Sequence, residues 1–198
     1  VAMSQAVETR HETRMLIGGE LVDGRDGVFE NFNPATEESL GHVANASRDD
    51  MHRAIDAARD AFDNGSWSTD HAFRQRCLLQ LQDALERERE NFREELIREV
   101  GCPRAITFGP QLDAPLADAI RFPAELIDTY PWDRDLGDAV VSVTGQNTSR
   151  HVWREPVGVV GAIVPWNFPF EVTLNKLGPA LATGNTVVLK AAPDTPFN

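Results

Sequence analysis

The amino-acid sequence predicts an α/β domain in which helices flank a partial parallel sheet, with a small β decoration at the amino-terminal side. Two largely apolar runs, Val157-Gly158-Val159-Val160-Gly161-Ala162-Ile163-Val164 and Thr186-Val187-Val188-Leu189-Lys190, have strand length and bracket a stretch of helical period. Apolar residues recur at helical spacing from Ser47 onward, whereas short apolar pieces alternate with turn formers before Asn33. With 198 residues, 41% hydrophobic and 25% charged, the chain is long enough for one globular domain with a sizeable core.

The first segment places Met15-Leu16-Ile17, Glu20-Leu21-Val22 and Val28-Phe29 between Gly18-Gly19, Asp23-Gly24, Asp26-Gly27 and Asn33-Pro34. Asp-Gly steps tolerate positive φ, so they are expected to turn the hairpins of a small antiparallel decoration. Ser47 is placed to cap a helix carrying Met51, Ala54, Ile55, Ala58 and Phe62 on one face, which Asn64-Gly65 ends. A second helix is predicted by the stripe Phe73, Cys77, Leu81, Ala84 and Leu85, with a break near Glu90-Asn91 before Phe92, Leu96 and Ile97 resume it. Glu86-Arg87-Glu88-Arg89-Glu90 falls on the other face, where alternating signs read as a solvated surface. Four prolines, at 103, 110, 115 and 123, interrupt the next stretch, and a helix from Leu116 to Thr129 is expected to kink at Pro123. Between Gly137 and Glu155, Ala139 to Val143 and Arg150 to Arg154 read as the strands of a hairpin that leaves the main body.

Composition narrows the partners. Lys plus Arg number 19 against 31 Asp plus Glu, and a net charge of -12 repels nucleic acid and anionic lipid at long range, so neither is expected as a partner. No apolar run approaches membrane-spanning length, and residues 1–14 hold no signal-peptide core. Cys77 and Cys102 lack Cys-x-x-Cys spacing and suit free thiols in a reducing cytoplasm. Cys77, on the stripe with Phe73 and Leu81, reads as a buried thiol. The five histidines show no ligand spacing, so no metal is expected.

The chemistry is concentrated after Val157. Pro165-Trp166-Asn167-Phe168-Pro169 leads into a helix with Phe170, Leu174, Leu177 and Leu181, stopped near Gly184. Strand, helix and strand from Val157 to Lys190 have the length of one right-handed parallel crossover, and the first strand is expected to be buried on both faces. Ligands in such sheets gather at the carboxyl ends of strands, where Asn167 and Lys190 would both lie. Gly158 and Gly161 do not make a G-x-G-x-x-G fingerprint and read instead as close strand–helix packing. From the residues alone, Asn167 is either a neutral donor at a site or a helix cap, and Lys190 either a ligand-facing cation or a surface lysine.

Arg154-Glu155-Pro156-Val157-Gly158-Val159-Val160-Gly161, Pro165-Trp166-Asn167-Phe168-Pro169, Lys176-Leu177-Gly178-Pro179-Ala180-Leu181-Ala182-Thr183-Gly184-Asn185 and Val187-Val188-Leu189-Lys190, in that order, resemble the aldehyde dehydrogenase superfamily. Asn33-Pro34-Ala35-Thr36-Glu37 and Gly101-Cys102-Pro103 resemble its amino-terminal landmarks, so the likeness covers nearly the whole chain. It implies a Rossmann-like sheet. Residues 1–136 would be the amino-terminal part of the cofactor-binding domain, 137–155 an oligomerisation hairpin, and 156–198 a cofactor-binding βαβ segment preceding the catalytic domain.

In that family a cysteine thiolate attacks the aldehyde, the oxyanion passes hydride to NAD or NADP, and a glutamate-activated water releases the acid. The resemblance assigns Asn167 to the amide that donates to the oxyanion and Lys190 to the lysine that meets the adenosine ribose hydroxyls. Ile163, Val164, Pro165 and Trp166, together with Asn167, would line the cofactor cleft. Phe168 and Val172 would wall the aldehyde tunnel or simply belong to the core, and Lys176 matches a recurring family lysine or is an exposed helical one. The partners implied are a small-molecule aldehyde and further copies in a homodimer or homotetramer of the full-length enzyme. Pro193, followed by Asp194, stands where the family commonly has a glutamate whose charge would disfavour a 2′-phosphate, which leaves NAD and NADP both open. The nucleophilic cysteine, the general-base glutamate and the glycine-rich cofactor loop are expected beyond Asn198, so this chain alone is expected not to oxidise aldehydes. Two alternatives remain: an acylating relative that passes its thioester to coenzyme A, and a non-catalytic truncated module that binds cofactor or regulates assembly.

Overall fold

The computed structural model describes residues 11–198, so the leader reading of the first residues falls largely outside what is described. Two antiparallel ribbons come first, β1 (Met15–Ile17) with β2 (Glu20–Val22), and β3 (Val28–Phe32) with β4 (Ser39–Ala44). The first ribbon turns at Gly18-Gly19, with φ of 63° and 85°, the pair of positive values that a two-residue hairpin turn demands. The second turns through Asn33, whose Oδ1 accepts from the Ala35 amide at 2.8 Å. The Asp-Gly steps therefore close no hairpin. They join the two ribbons in a turn where Gly27, at φ 82°, donates to the Gly24 carbonyl at 3.2 Å.

Helix α1 (Arg48–Asn64) starts on the expected Ser47, whose Oγ accepts from the Asp50 amide at 3.1 Å while the Asp50 carboxylate accepts from the Ser47 amide at 3.0 Å. Asp50 also accepts from the Arg25 amide, and these backbone donors hold its carboxyl at about 2. One carboxylate thus fixes both the helix start and the ribbon linker.

Helix α2 (His71–Arg87) is capped by Asp70, but it buries Arg74, Leu78 and Gln82 rather than the predicted stripe. Phe73 and Leu81 are each 36% exposed and Cys77 is half-buried. The reason is polar: Arg74 donates from Nε to the Ala182 carbonyl at 2.9 Å and from Nη1 to the Trp67 carbonyl at 2.7 Å, and Gln82 donates to the Leu116 carbonyl at 2.6 Å. Carbonyls left over at chain turns draw in long donors, a demand that apolar periodicity does not register.

Helix α3 (Arg89–Glu99) follows a break at Glu88, slightly ahead of the expected one. The charge run is partly a tether and not only a solvated face: Arg89 bridges Glu86 and, at 2.9 Å, Asp113. Buried Arg93 donates to Thr107 Oγ1 and to Asp113 Oδ1, both at 2.8 Å. Beyond the short α4 (Arg104–Thr107), the single kinked helix is instead two, α5 (Asp113–Asp118) and α6 (Arg121–Leu126). The break falls at Ala119-Ile120, while Pro123 sits in the first turn of α6, where a missing N–H leaves no bond unmade. Leu78, Leu96, Leu112, Leu116, Ile120 and Phe170 are among the residues that close the core between these helices.

The hairpin β5 (Asp133–Val140) and β6 (Asn147–Trp153) begins earlier than the sequence reading placed it, at Asp133, and turns through Gly145 at φ 70°. Its base is tied by the Arg154 amide donating to the Trp132 carbonyl at 2.8 Å. The crossover is as predicted: β7 (Val159–Ile163), α7 (Pro169–Ala182) and β8 (Thr186–Lys190), with β7 and β8 parallel from Val159↔Thr186 to Ile163↔Lys190. Strand β7 is not buried on both faces. Ala162 and Val164 are covered, but Gly161 and Ile163 on the opposite face are exposed. Close packing holds for Gly158, where a Cβ would meet the Arg59 guanidinium at 3.0 Å, and fails for Gly161, which has nothing within 4 Å. Asn185 braces the unit: its Oδ1 accepts from the Gly158 amide at 3.0 Å and its Nδ2 donates to Thr183 Oγ1 at 2.8 Å.

Glu95 and Glu99 lie one turn apart on α3 and are both buried. Glu99 accepts from the Phe197 amide at 3.0 Å and from the side-chain amides of Asn31 and Asn198. Desolvation nevertheless lifts both carboxyls to about 7, against the opposing pull of those donors at Glu99 and of Arg98 at Glu95. The folded state keeps protons that the unfolded chain releases near 4.5, so this contribution to stability is full below that pH and is lost as pH rises through about 7. Glu99→Gln is expected to flatten the fall of Tm across that window. An unaltered Tm–pH slope in thermal unfolding would show that burial does not control these groups.

Candidate functional site

The parallel register brings the ends of β7 and β8 side by side. Ile163 pairs with Lys190, and the Val164 amide donates to the Lys190 carbonyl at 3.2 Å. Lys190 is exposed, with its Nζ donating to the Ala191 carbonyl at 3.4 Å. Ile163 is 70% exposed and Trp166 57%, so apolar faces and a cation share the carboxyl end of the sheet. Pro165 is exposed as well, whereas Val164 is buried and supports this end from beneath.

Asn167 lies in the bend between β7 and α7 and is exposed. It does not cap α7. Phe168 holds the cap position with no side-chain bond to the first turn, and the Val172 amide reaches back to the Phe168 carbonyl at 3.0 Å. The side-chain amide of Asn167 has no hydrogen-bond partner among the described residues, while its main-chain carbonyl accepts from Gln111 Nε2 at 2.8 Å. The turn is therefore anchored through its backbone and the amide is left available. Phe168 and Val172, one helical turn apart, are both half-buried, and Lys176 is exposed further along α7.

Pro193 and Asp194 are exposed just beyond β8. A lysine with donors to spare beside apolar faces fits one edge of a dinucleotide, with Asp194 the nearest carboxylate in sequence. Among the described residues no group of three or more His, Cys, Asp and Glu is disposed to hold a metal ion, and no helix is long and apolar enough to cross a membrane. Cys102 is buried and desolvation raises its thiol pKa, which leaves less thiolate.

Two concavities lie elsewhere. One, of about 410 Å³, is lined by Phe122, Leu126, Tyr130, Asn175 and Pro179 among others, and another, of about 470 Å³, by His71, Arg74, Arg154 and Glu155 among others. Neither includes Asn167, Lys190 or the other candidate site residues, Ile163, Val164, Pro165, Trp166, Phe168 and Val172, although both take in residues of the blocks quoted from the sequence, among them Arg154, Glu155 and Pro179. Gln111 was not anticipated. Its only signal is a polar side chain between Pro110 and Leu112 in a stretch that had to be buried, and pattern reading does not say where such a group points.

The sequence model of the aldehyde dehydrogenase family matches residues 21–198. Aldehyde dehydrogenase family 2 member B4, mitochondrial, of Arabidopsis thaliana is 36% identical and aligns with 98% of this chain and 35% of its own length. The NADP/NAD-dependent aldehyde dehydrogenase PuuC of Escherichia coli K12 is also 36% identical, over 98% of this chain and 38% of that protein. In structure, the Mycobacterium tuberculosis aldehyde dehydrogenase complexed with NAD+ superposes with a TM-score of 0.82 at 35% identity, covering 93% of this chain and 37% of that one. The P. syringae AldA indole-3-acetaldehyde dehydrogenase in complex with NAD+ and IAA gives 0.83 at 35% identity, over 96% and 37%. The chain thus spans 35% and 38% of the two curated relatives' lengths. A parallel crossover with these blocks in place, matched along almost all of its length in both sequence and fold, makes this chain a member of the aldehyde dehydrogenase family.

Proposed function

We propose that this chain supplies the oxyanion-stabilising amide and part of the nicotinamide-cofactor site of an NAD(P)-dependent aldehyde dehydrogenase, which oxidises an aldehyde to a carboxylic acid. The observation that carries this reading is the Asn167 side-chain amide, exposed and without a hydrogen-bond partner among the described residues, in the bend after β7, which pairs with the strand that ends in Lys190. A neutral amide can donate to an oxygen whose charge grows as a carbonyl is attacked, and it keeps its own proton while doing so. Lys190 spends one contact on Ala191 and retains ammonium hydrogens for ligand hydroxyls. Bound NAD or NADP supplies the hydride acceptor. Ile163 and Trp166 offer apolar faces that exclude water from that edge.

The nucleophile belongs to a longer protein. Cys102, buried with a raised pKa, is unsuited to the task, and the 198-residue chain by itself is inactive. The β5–β6 hairpin is the arm through which copies of the full-length enzyme join as a dimer or tetramer. Its exposed apolar residues, Val140 at 64% and Val143 at 92%, support this. Both cysteines are free thiols, in keeping with the cytoplasm.

The test is kinetic. In the full-length enzyme, Lys190→Met is expected to raise the cofactor KM by about 10-fold to 100-fold, the worth of a charge-assisted hydrogen bond, with kcat nearly unchanged. The mass-verified 198-residue chain is expected to give no aldehyde-dependent NADH or NADPH. Turnover by that chain, or a cofactor KM indifferent to Lys190, would sink the reading.

A further inference from the structure

Gln111 is buried, at 5% exposure, in the turn between α4 and α5. Its Nε2 donates to the Asn167 carbonyl at 2.8 Å across 56 residues of sequence. The amide orientation follows from chemistry, because turning Oε1 toward that carbonyl would set two acceptors face to face. The turn that carries Gln111 is itself rigidly held. Leu112 has no exposed surface, and buried Arg93 grips Thr107 on one side of the turn and Asp113 on the other, each at 2.8 Å. Bonds from α3 thus hold both ends of the turn that carries Gln111, and Gln111 in turn holds the backbone of Asn167, whose side-chain amide has no hydrogen-bond partner among the described residues.

On the strength of this geometry, we infer that Gln111 is a positioning residue for the reaction: it pins the Asn167 peptide so that the side-chain amide keeps one direction. The inference rests on the reading of Asn167 given above. A flexible bend between strand and helix would let that amide rotate into solvent, and a donor that must reorganise as charge develops stabilises it less. Gln111 touches the main chain of Asn167 and has no direct part in the chemistry.

Gln111→Met is the informative substitution. It keeps length and volume, removes the donor, and also removes Oε1, a buried acceptor with no partner among the described residues, so the fold loses little. Gln111→Glu serves as a second variant, presenting an acceptor to the Asn167 carbonyl. In isotope-labelled 198-residue chain, Gln111→Met is expected to shift the Asn167 carbonyl carbon and to broaden or average its side-chain amide signals. In the full-length enzyme it is expected to lower kcat per titrated active site by roughly 10-fold to 100-fold, the scale of a misplaced group, with the cofactor KM held and Gln111→Glu falling further. An unmoved Asn167 carbonyl signal overturns the inference, and so does an unchanged kcat. Asn167→Ala in the same assay separates the two ideas: if it abolishes turnover while Gln111→Met does not, Gln111 is structural and the role of Asn167 stands; if neither matters, both readings fall.

Discussion

Replacing Asn167 with alanine in the full-length enzyme is expected to lower kcat by about 10²-fold to 10³-fold, the cost of one lost oxyanion donor, while the KM for aldehyde and cofactor changes little. The split follows from when the bond matters. A ground-state carbonyl oxygen carries a small partial charge, and the full benefit of the amide arrives only as that charge grows. Stability should be almost untouched, because the side chain caps nothing and is exposed, with the helix start organised by Phe168 and Pro169 instead. Asn167→Asp should be at least as damaging, since a carboxylate offers no donor and repels the developing oxyanion. Steady-state kinetics beside thermal unfolding distinguish this from a folding defect. A kcat that stays within about threefold of wild type would show that no oxyanion relies on this amide.

The parts of the fold legible in the sequence were those written in local pattern. Ser47 as a helix cap, a strand within the run from Val157 to Val164, a stop near Gly184 and the closing strand from Thr186 to Lys190 all follow from capping, apolar period or turn chemistry, and the structure has these elements there. The placement of the candidate site was legible for a different reason: Asn167 follows β7 and Lys190 ends β8, and parallel strands put their carboxyl ends together. What local pattern missed is long-range polar bonding. Arg74, Gln82, Arg93 and Gln111 are all at least 95% buried, and each is placed by a carbonyl or carboxylate far away in sequence. The buried face of α2 was misread because two of its three inward residues are polar, and the Asp-Gly steps were misread because a pair of glycines nearby made the hairpin turn with less strain.

Glycines show the same limit, and they yield the second large effect. Gly178 lies inside α7, directly against the break between α5 and α6, where a Cβ would stand 1.9 Å from the Ala119 carbonyl oxygen and 3.1 Å from the Pro123 ring. Both neighbours are stiff: one is backbone and the other a proline. Gly178→Ala therefore cannot be relieved by a side-chain rotation and must push α7 off the core that Phe170 and Leu174 close on the same helix. The expected cost is about 3 kcal/mol or more, at the upper end for overpacking, which for a chain of this size lowers Tm by roughly 6–12 °C. Gly161→Ala is the matched control, because its Cβ would meet nothing within 4 Å and its strand conformation suits alanine, so Tm should hold or rise slightly. If the two substitutions shift thermal unfolding equally, the helix is not seated on Ala119 as described. If Gly178→Ala alone is destabilising, the small residue is explained by helix packing. The same displacement would then also be felt at the Asn167 turn, which leads directly into α7, so a fall in kcat beyond the loss of folded protein is expected in the surviving Gly178→Ala enzyme.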